Sequence, residues 1–257
     1  MDELTVALLQ ADLAWEDDQA NTERFDKKID ALQAVDLIVL PEMFSTGFTM
    51  EPQKHAQPMS GRTVTWLREK AIRKNADIVG SVVIEEEGEY FNRLIWAKPD
   101  ESLFTYDKKH LFTFAGEHNH YSAGTGQLVV ELNGWRIATF ICFDLRFPVW
   151  CRNLNARYDA ALFIASWPEK RRTHWQSLLQ ARAIENQSYV LGLNRVGTDG
   201  NDIAYSGDSS VTDPLGNTLY SSSYKESTYV CRLNKADLQA VREQFPFLKE
   251  ADAFAFT

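Results

Sequence analysis

The chain has 257 residues, 44% of them hydrophobic and 25% charged, with a formal net charge of −9 at pH 7. That acidic balance excludes nucleic acid as an expected partner, because duplex binding needs a basic face that displaces phosphate counterions. No run approaches the roughly 20 apolar residues of a membrane span, and the acidic start Met1-Asp2-Glu3-Leu4 does not read as a signal peptide.

No proline- or glycine-rich linker or low-complexity stretch divides the sequence, so one domain over residues 1–257 is expected. In chain order, Leu4–Gln10 reads as a short apolar strand, and Phe25, Ile29 and Leu32 mark a helix from about Asp18 to Ala34. The unbroken apolar run Leu37–Leu40 suits a strand buried on both faces. A second helix is expected near Thr63–Asn75, with Val64, Leu67 and Ala71 on one side. Strands Asp77–Glu85 and Tyr90–Ala97 turn at Gly88.

The later half repeats this alternation. Asn133-Gly134 predicts a hairpin between Leu128–Leu132 and Trp135–Cys142. Pro148 suits the first turn of a helix reaching about Arg157. Strand Asp159–Ser166, helix His174–Asn186 and strand Tyr189–Asn194 follow, then a turn at Pro214–Asn217. A last helix, Lys235–Gln244, stops before Pro246. The class is α/β with a mixed sheet, and the strand count favours two packed sheets with helices outside.

The three cysteines, Cys142, Cys151 and Cys231, form no CxxC pair. Reduced thiols in a cytoplasmic protein are therefore expected, and a structural zinc site is not. Glu42 and Cys142 both stand where buried strands end, the place α/β sheets reserve for ligands. Cys142 also precedes the expected helix near Pro148, whose N-terminus would favour a thiolate. Alone, each has a plainer reading: Cys142 as a small core hydrophobe, Glu42 as an exposed loop residue, Lys108-Lys109 as a solvated turn. Lys170-Arg171-Arg172 likewise reads as a solvated helix start. The five histidines leave a Cys–His pair open. His118-Asn119-His120 hints at metal but has no third ligand at a recognisable spacing, so none is expected.

Taken together, five segments resemble the nitrilase superfamily of carbon–nitrogen hydrolases. They are Leu40–Phe44 (LPEMF), Tyr106–Phe112 (YDKKHLF), Ile141–Pro148 (ICFDLRFP), Ala181–Gln187 (ARAIENQ) and Gly207–Val211 (GDSSV), in the family's order. The resemblance implies a four-layer α-β-β-α sandwich and a catalytic set of Glu42, Lys108 and Cys142, with Glu117 as the family's second glutamate. Lys108 matches the family lysine rather than Lys109, because it precedes the His-Leu pair by two positions. The chain looks most similar to the bacterial omega-amidase branch, whose substrates are omega-amido 2-oxo acids such as 2-oxoglutaramate. Phe143 stands where tyrosine is common and Val149 replaces a frequent glutamate. Other superfamily activities (nitrilase, carbamoylase, aliphatic amidase) stay open, as does a non-catalytic binding relative. A homodimer without metal or organic cofactor is expected, acting on a small anionic amide.

For such a substrate, Arg146 is the leading candidate to hold the remote carboxylate, with a structural salt bridge to Asp144 or to the surroundings of Glu42 as the alternative. Arg171 is a weaker candidate for the same role. The backbone N–H of Phe143 is expected to join Lys108 at the oxyanion, and Phe48 and Trp167 to wall the pocket.

Overall fold

The computed structural model describes residues 2–255. Its strands are β1 (Glu3–Gln10), β2 (Leu37–Val39), β3 (Asp77–Glu86), β4 (Glu89–Ala97), β5 (Leu103–Asp107), β6 (Leu128–Leu132), β7 (Trp135–Ile141), β8 (Ala160–Ala165), β9 (Tyr189–Asn194), β10 (Val196–Thr198), β11 (Ala204–Thr212), β12 (Thr218–Ser223) and β13 (Ser227–Asn234). The helices are α1 (Asp18–Asp30), α2 (Pro52–His55), α3 (Arg62–Lys74), α4 (Arg172–Asn186) and α5 (Lys235–Gln244).

The first sheet has six strands in the order β13-β1-β2-β3-β4-β5, and the second has seven, β10-β11-β9-β8-β7-β6 with β12 on β11. Each carries a parallel trio at its centre: β1, β2 and β3 in one, β7, β8 and β9 in the other. The repetition legible in the sequence is thus two similar half-folds.

Alternation along the strands builds the layers. Leu37 and Val39 of β2 point into a core shared with Ile137 and Leu162 of the second sheet. Ile38 and Leu40, on the other face, pack with Phe25 and Ile29 of α1 and Val64 and Leu67 of α3. Both faces of β2 are therefore dry, which is why its sequence is continuously apolar. Trp175 and Leu179 of α4 cover the outside of the second sheet. The order is helix, sheet, sheet, helix, as the family resemblance implied.

Local chemistry sets the ends. The side chain of Asp17 accepts from the N–H of Ala20 and caps α1. Asn75 closes α3 in the left-handed region (φ 48), and Asn133 and Gly134 take positive φ in the β6–β7 hairpin.

One expected element is absent. Pro148–Arg157 forms turns and a short 3₁₀ segment, Leu154–Ala156, instead of a helix. Asn153 explains this: its amide bonds both the N–H and the C=O of Tyr158 and the C=O of Asn186. Such side-chain bonds offer the backbone an alternative to helix, and Asn155 and Ala156 sit at φ 54 and 49. Strands β5, β10 and β13 are additions to the sequence reading.

Candidate active site

Glu42 lies just beyond β2 and its side chain is fully buried. One carboxylate oxygen, Oε1, accepts from Asn92 Nδ2 and from Lys108 Nζ, each at 2.8 Å. The other, Oε2, accepts the backbone N–H of Ser166 at 2.7 Å. Three strand ends, those of β2, β5 and β8, therefore meet at one carboxylate. Lys108 follows β5 directly and donates to both oxygens of Glu117 at 3.0 Å. Glu117 in turn accepts the N–H of Phe112, which pins the loop that carries it. The ring of Phe48 lies 5.0 Å from Lys108 Nζ.

Cys142 directly follows β7, stands in the left-handed region at φ 46, and opens a 3₁₀ turn over Cys142–Arg146. A non-glycine residue held there is strained and needs support from its surroundings. Asp144 supplies it. Its buried carboxylate accepts from the N–H of Ile141 (3.0 Å), the hydroxyl of Tyr106 (2.7 Å) and the N–H of His110 (2.9 Å). The His110 ring, through Nδ1, lies 2.8 Å from the same group. Asp144 thus ties the Cys142 turn to the segment delivering Lys108, rather than pairing with Arg146.

Electrostatics separate the roles. Burial pushes the Cys142 thiol well above its ordinary value, and the adjacent Glu42 pushes it further. Both influences favour the neutral thiol, and the helix near Pro148 whose N-terminus would favour a thiolate does not form. Burial alone would lower Lys108, but Glu117 and Glu42 outweigh it and hold the ammonium charged. Burial raises Glu117, against the pull of Lys108. Desolvation costs several kcal/mol per buried ion, and well-packed apolar residues often serve stability as well as a buried ion pair does. A buried cation between two carboxylates is therefore better explained by chemistry than by stability.

A cavity of about 930 Å³ opens above this set, lined by Phe48, Lys108, Cys142, Phe143, Arg146 and Trp167 among others. Glu42 and Glu117 sit behind Lys108 and do not line it. Arg146 has no carboxylate partner among the described residues. Its guanidinium stands 4.7 Å from the Trp167 ring and donates from Nη2 to His174 Nδ1 at 3.0 Å. No histidine lines the cavity; His110 is held by Asp144 and stacks 3.6 Å from Phe147. His118 is exposed, and the group of three potential metal ligands found among the described residues, Glu16, Glu51 and His55, lies outside the cavity. Asn92, Ser166 and the anchoring role of Asp144 escaped the sequence reading. Only Asp144 had a local signal, its place two residues after the cysteine.

A thiol and a fixed ammonium on one cavity wall, with a buried carboxylate behind them, suit attack on a carbonyl carbon and stabilisation of the resulting oxyanion. Residues 5–243 match the carbon–nitrogen hydrolase family model, and the chain belongs to that family. It is 46% identical over 252 residues to the omega-amidase YafV of Escherichia coli K12, covering 98% of each chain. It is 33% identical over 247 residues to a 2-oxoglutaramate amidase of Bacillus subtilis, covering 94% of this chain and 95% of that one. The crystal structure of XC1258 from Xanthomonas campestris, a CN-hydrolase superfamily protein with an arsenic adduct in its active site, superposes with a TM-score of 0.98. It is 42% identical, with both chains fully covered.

Proposed function

We propose that the protein hydrolyses the side-chain amide of small omega-amido 2-oxo acids, 2-oxoglutaramate and 2-oxosuccinamate, to the dicarboxylic 2-oxo acid and ammonia. The observation that carries the reading is the buried Glu42–Lys108–Glu117 set behind Cys142 on the cavity wall. The similarity to an omega-amidase and a 2-oxoglutaramate amidase supports the substrate class.

Glu42 takes the thiol proton as Cys142 Sγ attacks the amide carbon. The tetrahedral oxyanion is met by Lys108 Nζ and the backbone N–H of Phe143. Glu42 returns the proton to nitrogen, the C–N bond breaks, and ammonia departs, leaving a thioester on Cys142. Glu42 then deprotonates a water that attacks the thioester; the acid leaves and the proton goes back to sulfur. Glu117 fixes the position of Lys108. Every proton is accounted for by these side chains, so a chelator should leave turnover unchanged; inhibition reversed by added metal would contradict the scheme.

Arg146 meets the substrate's carboxylate, with Trp167, Phe48 and Phe143 forming apolar walls. Arg146→Ala is expected to raise KM for 2-oxoglutaramate about tenfold to a hundredfold, the worth of one charge-assisted contact. The kcat/KM for hexanamide, which has no carboxylate, should fall far less. Equal losses on both substrates would reduce Arg146 to a scaffold residue. The reading also takes the chain as one domain, 1–257, acting as a cytoplasmic homodimer. Light scattering on a sizing column checks the assembly: twice the 29.4 kDa chain mass is expected, and a monomer would refute it.

A further inference from the structure

Lys170, Arg171 and Arg172 are consecutive but do three different things. Arg172 opens α4 and is held by Asp208, Nη2 to Oδ1 at 2.6 Å, so it is structural. Lys170 is exposed at the rim. Arg171 is turned inward by a 3₁₀ turn, Glu169–Arg171, that Trp167 locks by donating from Nε1 to the Arg171 carbonyl at 2.9 Å. Its guanidinium lies 5.0 Å from the ring of Phe112, on the wall of the cavity that holds Cys142.

The side chain of Arg171 makes no hydrogen bond or ion pair among the described residues. The acids that line the same cavity, Glu169, Asp199 and Asp202, make no ion pair with it. Glu169 accepts from the Tyr224 hydroxyl at 2.8 Å, and Asp199 from the Tyr205 hydroxyl at 2.7 Å. Arg146, on the same cavity, also lacks a carboxylate partner, and after burial the charge of Arg171 is the next influence opposing its own. Two guanidiniums, each laid on an aromatic ring, line one cavity, and neither is paired with a carboxylate among the described residues. Like charges so placed repel, and an anionic ligand relieves both at once.

We propose that Arg171 is a second specificity-determining residue, forming with Arg146 a two-guanidinium seat for the carboxylate end of an omega-amido 2-oxo acid. This rests on the substrate class proposed above and deepens it. The carboxylate and neighbouring 2-oxo group present several acceptor oxygens along one edge, more than one planar fork of donors serves. Arg146 and Arg171 together supply two forks.

The test compares wild type, Arg171→Ala and Arg171→Lys on 2-oxoglutaramate and on hexanamide, with melting temperature as a check on folding. Arg171→Ala removes no hydrogen bond of the turn, since the Trp167 contact is to the backbone. KM for 2-oxoglutaramate is expected to rise about tenfold or more, with kcat little changed. Arg171→Lys should lie between, keeping charge but losing the fork. The kcat/KM for hexanamide should change less than about threefold. Parallel losses on both substrates, or an unchanged KM in an enzyme that still prefers 2-oxoglutaramate, would overturn the assignment and leave Arg146 alone. A wild-type enzyme without that preference would instead overturn the substrate class, and the seat with it.

Discussion

Cys142→Ala is expected to abolish ammonia release while the protein keeps its fold. Loss of a nucleophile from a triad hydrolase costs on the order of 10⁶ in kcat, so turnover should drop to the limit of detection. The fold should survive because the substitution trims one sulfur beside an open cavity, leaving the Asp144 contacts that hold the turn in place. The other two cysteines provide the control. Cys151 is buried and donates to the carbonyl of Asp144 at 3.3 Å; Cys231 is buried between strands and faces the carbonyl of Val6 at 3.6 Å. Burial pushes the Cys231 thiol up to about 12 and raises Cys151 as well, and neither lines the cavity. Cys151→Ala and Cys231→Ala should therefore keep substantial activity. Full turnover in pure Cys142→Ala protein would end the thioester mechanism.

Glu42→Gln should lower kcat by about 10²–10⁴-fold, the range for a positioned acid–base group. The effect should be this large because burial and Glu42 itself both raise the Cys142 thiol, so its proton must be taken as sulfur attacks. Without a base the proton has no acceptor at the moment of attack. Glutamine is nearly isosteric but places an amide NH₂ opposite an existing donor: Ser166 N–H on one side, Asn92 and Lys108 on the other. Some loss of stability is expected, so kcat must be compared at temperatures where both proteins are folded. His110→Asn and His174→Asn should cost less. The first leaves Asp144 its bonds from Tyr106 and two backbone amides. The second removes a partner of Arg146 and should act on KM. A larger kcat loss at either histidine, with stability unchanged, would favour a Cys–His enzyme.

How the site was legible follows from where its determinants lie. Glu42 and Cys142 follow strands whose apolar runs are plain in the sequence, Lys108 follows β5, whose partly exposed run is not, and ordered motifs mark all three. What holds them is non-local. Ser166 reaches Glu42 across 124 positions and Asn92 across 50, and no periodicity announces either. Asp144 was visible only as an alternative mate for Arg146, because a neighbouring arginine is the simplest partner for an aspartate on paper. In the fold its carboxylate is taken by Tyr106 and His110, leaving Arg146 free for the cavity. The missing helix after Pro148 has a similar cause: Asn153 captures the backbone of Tyr158, five positions on. Arg171 stood in a basic run that suggested solvent and was only the weaker candidate for the carboxylate. Its direction depends on a turn locked by Trp167 and on Asp208 claiming Arg172.

The central claim is tested most directly by ammonia release from wild-type enzyme. The comparison takes kcat/KM for 2-oxoglutaramate, glutamine, hexanamide, a nitrile and an N-carbamoyl amino acid. The account predicts that 2-oxoglutaramate leads every other compound by at least about tenfold, the worth of one charge-assisted contact to its carboxylate. A lead by the nitrile, the carbamoyl compound or the uncharged amide would contradict it.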